Sequence, residues 1–298
     1  MKNSAGSVFL LLLTSMIWGF AFVAQRKGME FLDPMTFNGI RFAIGALFVG
    51  IIYRIQNKNE QDTNFPVIPG IILFIAASLQ QIGMIWTTAG NAGFITGLYV
   101  VFVPLIGYFI GHHLRFVHIL SVLISVIGIY LISIHQGLKL NTGDILVFLS
   151  AIFWALHVMV INRYTRNSNS LHLAFSQYAI CALASLAFGF TYILIRRPGT
   201  ISDLSIFSSI YDASIPIIYG GLLSVGVAYT LQVEAQKRVG PTTSALVLCL
   251  ESVFAMLGGY LLLQEAVTLR MLSGAFLMLS AMIISSTAYA RESMKLNS

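Results

Sequence analysis

A glutamate set deep in an apolar run is the first residue of this sequence that calls for a chemical reason. Glu251 lies near the middle of the apolar run 241–263. An ionisable side chain at bilayer depth costs at least about 2.5–3.5 kcal/mol on insertion scales. Such a carboxyl can take up a proton or pair with a cationic ligand; equally, it can serve as a packing hydrogen-bond partner beside Ser252. Arg41 stands about seven residues into another apolar run, on the order of 10 Å deep at 1.5 Å per residue. It can hold an anion, or snorkel to the interface. His157 follows Trp154 by three residues, about one turn along the same helix face. An imidazole there can relay protons or contact a ligand, or complete a neutral packing hydrogen bond. Glu234, with Lys237 and Arg238 one turn on, reads as an interfacial salt bridge.

A softer constellation surrounds these groups. Trp18, Trp86, Trp154, Tyr99 and Tyr229, with the amides Gln80, Gln81 and Gln232, are the residue types that wall a ligand cavity and orient its occupant. Trp and Tyr also form interfacial belts, but Trp18 and Trp154 sit well inside their apolar runs. Gln80 and Gln81 are adjacent, so they point about 100° apart and cannot share one cavity closely; Gln81 is taken as the candidate. Pro104 and Pro216 are candidate kinks that free carbonyls toward a cavity. Gly93 with Gly97, and Gly107 with Gly111, give small-x-x-x-small faces for close helix approach.

Other chemistries find no support. No H-E-x-x-H, P-loop lysine or G-x-S-x-G in a suitable context occurs, so neither a catalytic site nor a cofactor is expected. His112 and His113, with Arg115 and His118, make a poor metal site, and no metal is expected. Cys181 and Cys249 lie inside apolar runs and read as small apolar fillers. The formal net charge of +6 is spread out, with no Lys/Arg block longer than two; that excludes a phosphate-tracking stripe and hence nucleic acid.

The elements that must position these residues follow from composition. Hydrophobic residues make up 57% of the 298 and charged residues 9%, far below the roughly 25% charged of a soluble domain. Lipid-facing surface resolves that imbalance. A crossing helix needs about 20 apolar residues, which predicts spans near 7–25, 34–54, 66–88, 91–112, 116–135, 143–163, 170–195, 213–233, 241–263 and 268–290. The third-to-fourth and ninth-to-tenth breaks are the least marked, so nine spans remain an alternative. The first run, Val8 to Ala24, is long for a signal peptide and lacks a clear cleavage site; it is read as a span. With the N-terminus inside, ten Lys/Arg fall on the cytoplasmic side and six opposite, which favours cytoplasmic termini.

The order within the chain is more telling. Ile17-Trp18-Gly19-Phe20 matches Phe153-Trp154-Ala155-Leu156 at an offset of 136, and Arg41-Phe42-Ala43-Ile44 matches Gln177-Tyr178-Ala179-Ile180 at the same offset. Gly83-Met84-Ile85-Trp86-Thr87 then matches Gly226-Val227-Ala228-Tyr229-Thr230 at 143. Ordered matches with slowly growing offsets indicate two halves, 1–138 and 139–298. Five spans per half, an odd number, make them inverted repeats, which place a binding site near the midplane. The break Ala89–Ala92 carries no Lys or Arg while its counterpart carries Lys237 and Arg238, in keeping with inversion.

With these residues on the page, the sequence resembles the drug/metabolite transporter superfamily, EamA type. The likeness rests on Trp18-Gly19, on Arg41-Phe42 with Ala43 and Ala46, and on Gly240-Pro241-Thr242-Thr243-Ser244-Ala245 continuing to Glu251-Ser252-Val253-Phe254-Ala255 and Leu262-Leu263-Gln264-Glu265. The family usually has Glu-Pro and Gly-Glu where this chain has Glu251-Ser252 and Gln264-Glu265; Pro104 keeps the proline in the first half. The resemblance implies an all-α integral membrane fold of ten transmembrane helices as two inverted five-helix repeats, and export of a small metabolite such as an amino acid. The expectation is a multi-pass cell-membrane protein, alternating access and a proton-coupling role for Glu251 or His157. Its partners would be a small-molecule substrate and the lipid bilayer, with a homodimer left open. The alternative is an intramembrane enzyme or a non-transporting scaffold.

Overall fold

The computed structural model describes residues 2–56, 65–87, 89–111, 116–133, 142–165, 168–196, 205–264 and 267–295. Among these residues every regular element is helical. In lipid that follows from hydrogen bonding, because a helix satisfies its own backbone where no water can. The first group is α1 (Lys2–Gly28), α2 (Pro34–Gln56), α3 (Val67–Gly83), α4 (Ala89–Gly97), α5 (Tyr99–Phe109) and α6 (Phe116–Ser133). Then come α7 (Thr142–Tyr164), α8 (Ser170–Arg196), α9 (Ser205–Asp212) and α10 (Ser214–Ile218). A π-helical segment (Tyr219–Tyr229) leads into α11 (Thr230–Gln236), followed by α12 (Pro241–Leu248), α13 (Glu251–Leu263) and α14 (Leu269–Lys295).

Seven stretches are long and apolar enough to cross a membrane, among them Ala92–Phe109, Ser214–Gln236 and Pro241–Leu262. Three shorter apolar helices, Val67–Gly83, Phe116–Leu131 and Leu269–Ser285, fall where spans were expected at 66–88, 116–135 and 268–290. Glu265 and the polar group His112, His113 and Arg115 lie outside the described residues.

Three of the crossing stretches are not continuous α-helix. One breaks at Leu98, another at Cys249 and Leu250, and a third passes through the π segment. Irregular backbone at membrane depth is tolerated where protein covers it, and Leu248, Cys249 and Leu250 are completely buried. Pro104 sits inside α5, beyond the Leu98 break, and removes the N–H that would bond Val100 O. Pro216 is the third residue of α10, in the first turn, where an N–H has no intrahelical acceptor. The departure from α geometry comes three residues later, at Tyr219.

The helices pack into one bundle. α2 lies along α8 and the π segment, α3 along α7 and α8, α1 along α13 and the π segment, and α6 along α14. Glycines set the closest approaches. A Cβ on Gly45 would stand 2.3 Å from Val225 Cγ1, and one on Gly221 would stand 2.8 Å from Ile44 Cβ. Polar side chains then bridge helices. Asn38 donates to Ala77 O at 3.1 Å, Thr14 to Ala228 O at 3.1 Å, and Ser252 to Gly93 O at 2.9 Å. The serine that replaces the usual proline therefore ties α13 to α4. Gln264 caps α13 in the left-handed region, with φ 56° and ψ 31°. That backbone favours glycine, the residue the resemblance leads one to expect at this place.

Candidate functional site

Side chains at helical spacing on several elements converge on one narrow, partly open central cavity with about 30 Å³ of free volume in this conformation. α1 supplies Trp18, Ala21, Phe22 and Gln25, spaced so that they share one face. The π segment and α11 supply Ser224, Tyr229 and Gln232; α7 supplies Trp154 and Val158; Leu248 and Glu251 flank the break between α12 and α13. Arg41, Gln80, Thr96 and Tyr99 complete the lining from α2 to α5.

The aromatic wall is built around Tyr229. Its ring centroid lies 4.5 Å from Trp18, 6.0 Å from Trp154 in a stacked pair, 6.1 Å from Phe42 and 6.0 Å from Tyr178. Trp18 Nε1 donates to Ser224 O at 3.2 Å, which fixes the indole against the π segment. Offset and tilted contacts at these separations add roughly 0.5–1.5 kcal/mol each beyond area burial. The wall is thus rigid as well as apolar.

Two ionisable groups of opposite kind, one basic and one acidic, face the cavity without meeting. Arg41 is 2% exposed. Its Nε donates to Asn38 Oδ1 at 2.8 Å, and its guanidinium carbon lies 5.0 Å from the Phe42 ring centre and 5.9 Å from that of Phe37. Gly220 makes room for it, since a Cβ there would stand 3.3 Å from Arg41 Cδ. No acidic side chain lies within 4.0 Å of it among the described residues. Glu251 is 4% exposed and likewise has no basic partner within that distance. The Tyr99 hydroxyl lies beside Glu251, yet neither it nor Glu251 Oε1 has a well-formed hydrogen-bond partner. Gln25 Oε1, Gln232 Oε1 and Trp154 Nε1 are also buried and unpartnered. An ionisable group buried without a partner is costly to charge, so the cavity is suited to an occupant that brings complementary groups.

Polar fastenings close the bundle beyond the cavity. Toward Lys237 and Arg238, Gln232 Nε2 donates to Gln236 Oε1 at 3.0 Å and Gln236 Nε2 to Val158 O at 2.9 Å. Asn162 Nδ2 donates to Gln236 O and Val239 O, both at 3.1 Å. Glu234 there accepts from Ser170 at 2.7 Å and pairs with Lys237 at 2.9 Å. Toward the opposite end, Arg26 donates to Met84 O at 2.9 Å and Thr87 to Asp144.

Of the residues singled out in the sequence, Trp18, Tyr99, Trp154, Tyr229 and Glu251 line the cavity. Gln81, Trp86 and His157 do not. Gln80 is the glutamine that faces inward, donating to Thr96 Oγ1 at 2.9 Å, while Gln81 is fully buried elsewhere. Trp86 lies past the end of α3 and is 54% exposed. His157 sits behind the wall, 2.8 Å from Gln177 Oε1 and edge-on to Trp154 and Tyr229. Gln25, Thr96 and Ser224 were not singled out. For Gln25 the signal was available: it stands seven residues after Trp18, two turns along one face.

A bundle of membrane-length apolar helices around an aromatic-walled cavity with ionisable groups at its core has the architecture of small-molecule carriers. The profile of the EamA-like transporter family matches residues 5–134 and again 141–287. An uncharacterized transporter of Archaeoglobus fulgidus is 31% identical over 275 residues, which cover 92% of this chain and 83% of that protein. The uncharacterized transporter YoaV of Bacillus subtilis is 20% identical over 94% of this chain and 97% of its own length. A solved crystal structure superposes with a TM-score of 0.74 at 16% identity, covering 96% of this chain and 98% of that one, a likeness of fold. The chain belongs to the EamA-like transporter family and is a multi-pass membrane transporter.

Proposed function

We propose that this protein is a secondary transporter that exports an amphoteric small metabolite, of which an amino acid is the simplest type, by alternating access around the central cavity. The observation that carries the reading is the pair of buried, mutually unpaired ionisable side chains, Arg41 and Glu251, on one aromatic-walled cavity. A carboxylate fits the open end of the Arg41 guanidinium, and an ammonium fits Glu251. A molecule bearing both neutralises the site in one step.

The reading takes the chain as ten spans in two inverted five-helix repeats, 1–138 and 139–298. Two observations support it. The family profile matches two successive segments, and the helix contacts exchange between halves: α1 on α13 corresponds to α7 on α4 and α5, and α3 on α8 to the π segment on α2. Inverted repeats rocking about a midplane site give alternating access. In this account both termini face the cytoplasm of a cell membrane, and Glu251 exchanges a proton for the substrate ammonium. One chain lines the whole cavity, so a second copy is not needed for binding.

Uptake of labelled amino acids into proteoliposomes tests the reading. Saturable flux is expected, and Glu251→Gln should lower it while leaving protein abundance unchanged. Normal pH-dependent flux in Glu251→Gln would remove the coupling role, and absence of flux for every amino acid would remove the substrate reading.

A further inference from the structure

The hydrogen-bonding inventory of the cavity narrows the substrate further. Once Arg41 has taken a carboxylate and Glu251 an ammonium, four lining groups still lack partners, and two of them are acceptors only: Gln25 Oε1 and Gln232 Oε1. Both are acceptors on residues at least nine-tenths buried. Gln232 cannot satisfy its need by turning over, because its Nε2 is held by Gln236 Oε1. The donors left on the lining are Trp154 Nε1 and the Tyr99 hydroxyl. An apolar substrate side chain would bury the two amide oxygens unpaired, and an acidic one would set acceptor against acceptor. A side chain ending in N–H would pair with them. If it is cationic, the faces of Trp18, Trp154 and Tyr229 also attract it.

Resting on the amino-acid reading above, we propose that the transported molecule is an α-amino acid whose side chain ends in an N–H donor, an amine or a carboxamide. Gln25 and Gln232 are the residues that select it. The acceptors come from opposite ends of the chain, one on α1 and one on α11, so the side chain of the substrate would be held by both halves together.

Thermal stabilisation of the purified protein by four amino acids of similar length tests this: L-ornithine, L-glutamine, L-norvaline and L-glutamate. Half-maximal stabilisation by ornithine and glutamine is expected at concentrations at least about tenfold below those for norvaline and glutamate, the discrimination of one or two buried unpaired acceptors. Gln232→Leu should narrow that gap about tenfold while leaving norvaline unaffected. Gln25→Leu, on a different helix, provides the same test should Gln232→Leu fail to fold. Norvaline or glutamate stabilising as well as ornithine would overturn the proposal and leave the amino-acid reading intact. So would an unchanged preference in both leucine variants. No stabilisation by any of the four would overturn both.

Discussion

Gly19→Ala is a one-methyl change whose effect can be worked out from contact distances. Gly19 lies on α1 one residue after Trp18, against α13. A Cβ there would stand 2.3 Å from Phe254 Cβ, 2.7 Å from Phe254 C and 2.8 Å from Ala255 N. Ordinary contact begins at 3.4 Å, so the overlap is about 1 Å in a close-packed interface. Two of the three atoms are backbone, which no rotamer change can move. α1 must therefore separate from α13 by about that distance, carrying Trp18, Phe22 and Gln25 away from Glu251. Overpacking of this kind costs about 3 kcal/mol at its upper end, against about 1 kcal/mol gained in helix propensity on replacing glycine. The net expectation is destabilisation by about 2 kcal/mol together with loss of substrate affinity. Melting temperature in detergent and proteoliposome flux are the assays. Gly6→Ala and Gly90→Ala, where a Cβ meets nothing within 4 Å, are controls expected to be neutral or slightly stabilising. A Gly19→Ala protein that melts and transports like the parent would refute the close-contact reasoning.

Three further outcomes follow from the same geometry. Arg41→Lys should lower flux at least about tenfold, because lysine lacks the planar fork that binds Asn38 and a carboxylate together; parental flux would show that any cation suffices. Asn162→Ala removes two hydrogen bonds at the Lys237–Arg238 end, worth about 1 kcal/mol each. In a Ser224→Cys background, which places a thiol on the cavity lining, it should speed thiol labelling from that side, and an unchanged rate would place the closure elsewhere. Trp86→Ala, on an exposed residue off the cavity, should leave substrate affinity within about twofold of the parent, measured as the concentration giving half-maximal flux.

The membrane class and the helical runs were legible because composition and hydropathy depend on residue type alone. The cavity was legible in part. Trp18, Trp154, Tyr229 and Glu251 stood out as polar or aromatic groups deep in apolar runs, and depth along a span can be read from sequence. Rotation about the helix axis could not. Gln80 and Gln81 have equal depth, and only packing of α3 on α7 and α8 decides which faces the cavity. Trp86 was misplaced by a boundary: α3 ends at Gly83, short of the expected 88, so the indole leaves the bundle. His157 shares a helix face with Trp154, but Gln177 on α8 draws its ring behind the wall. The π segment left no sequence signal of its own beyond Gly220, Gly221 and Gly226. Those glycines face Arg41, Ile44 and Phe48 on α2, where an added Cβ would stand 3.3, 2.8 and 2.8 Å away.

The central claim is that one cavity opens alternately to the two sides of the membrane. Ser224 lines that cavity while the native Cys181 and Cys249 do not, so Ser224→Cys gives a reporter thiol. Its labelling by an impermeant thiol reagent, applied from each face of sealed, oriented vesicles, is the direct measurement. The account predicts labelling from both faces, with saturating substrate slowing both rates. Labelling confined to one face under all conditions would contradict it.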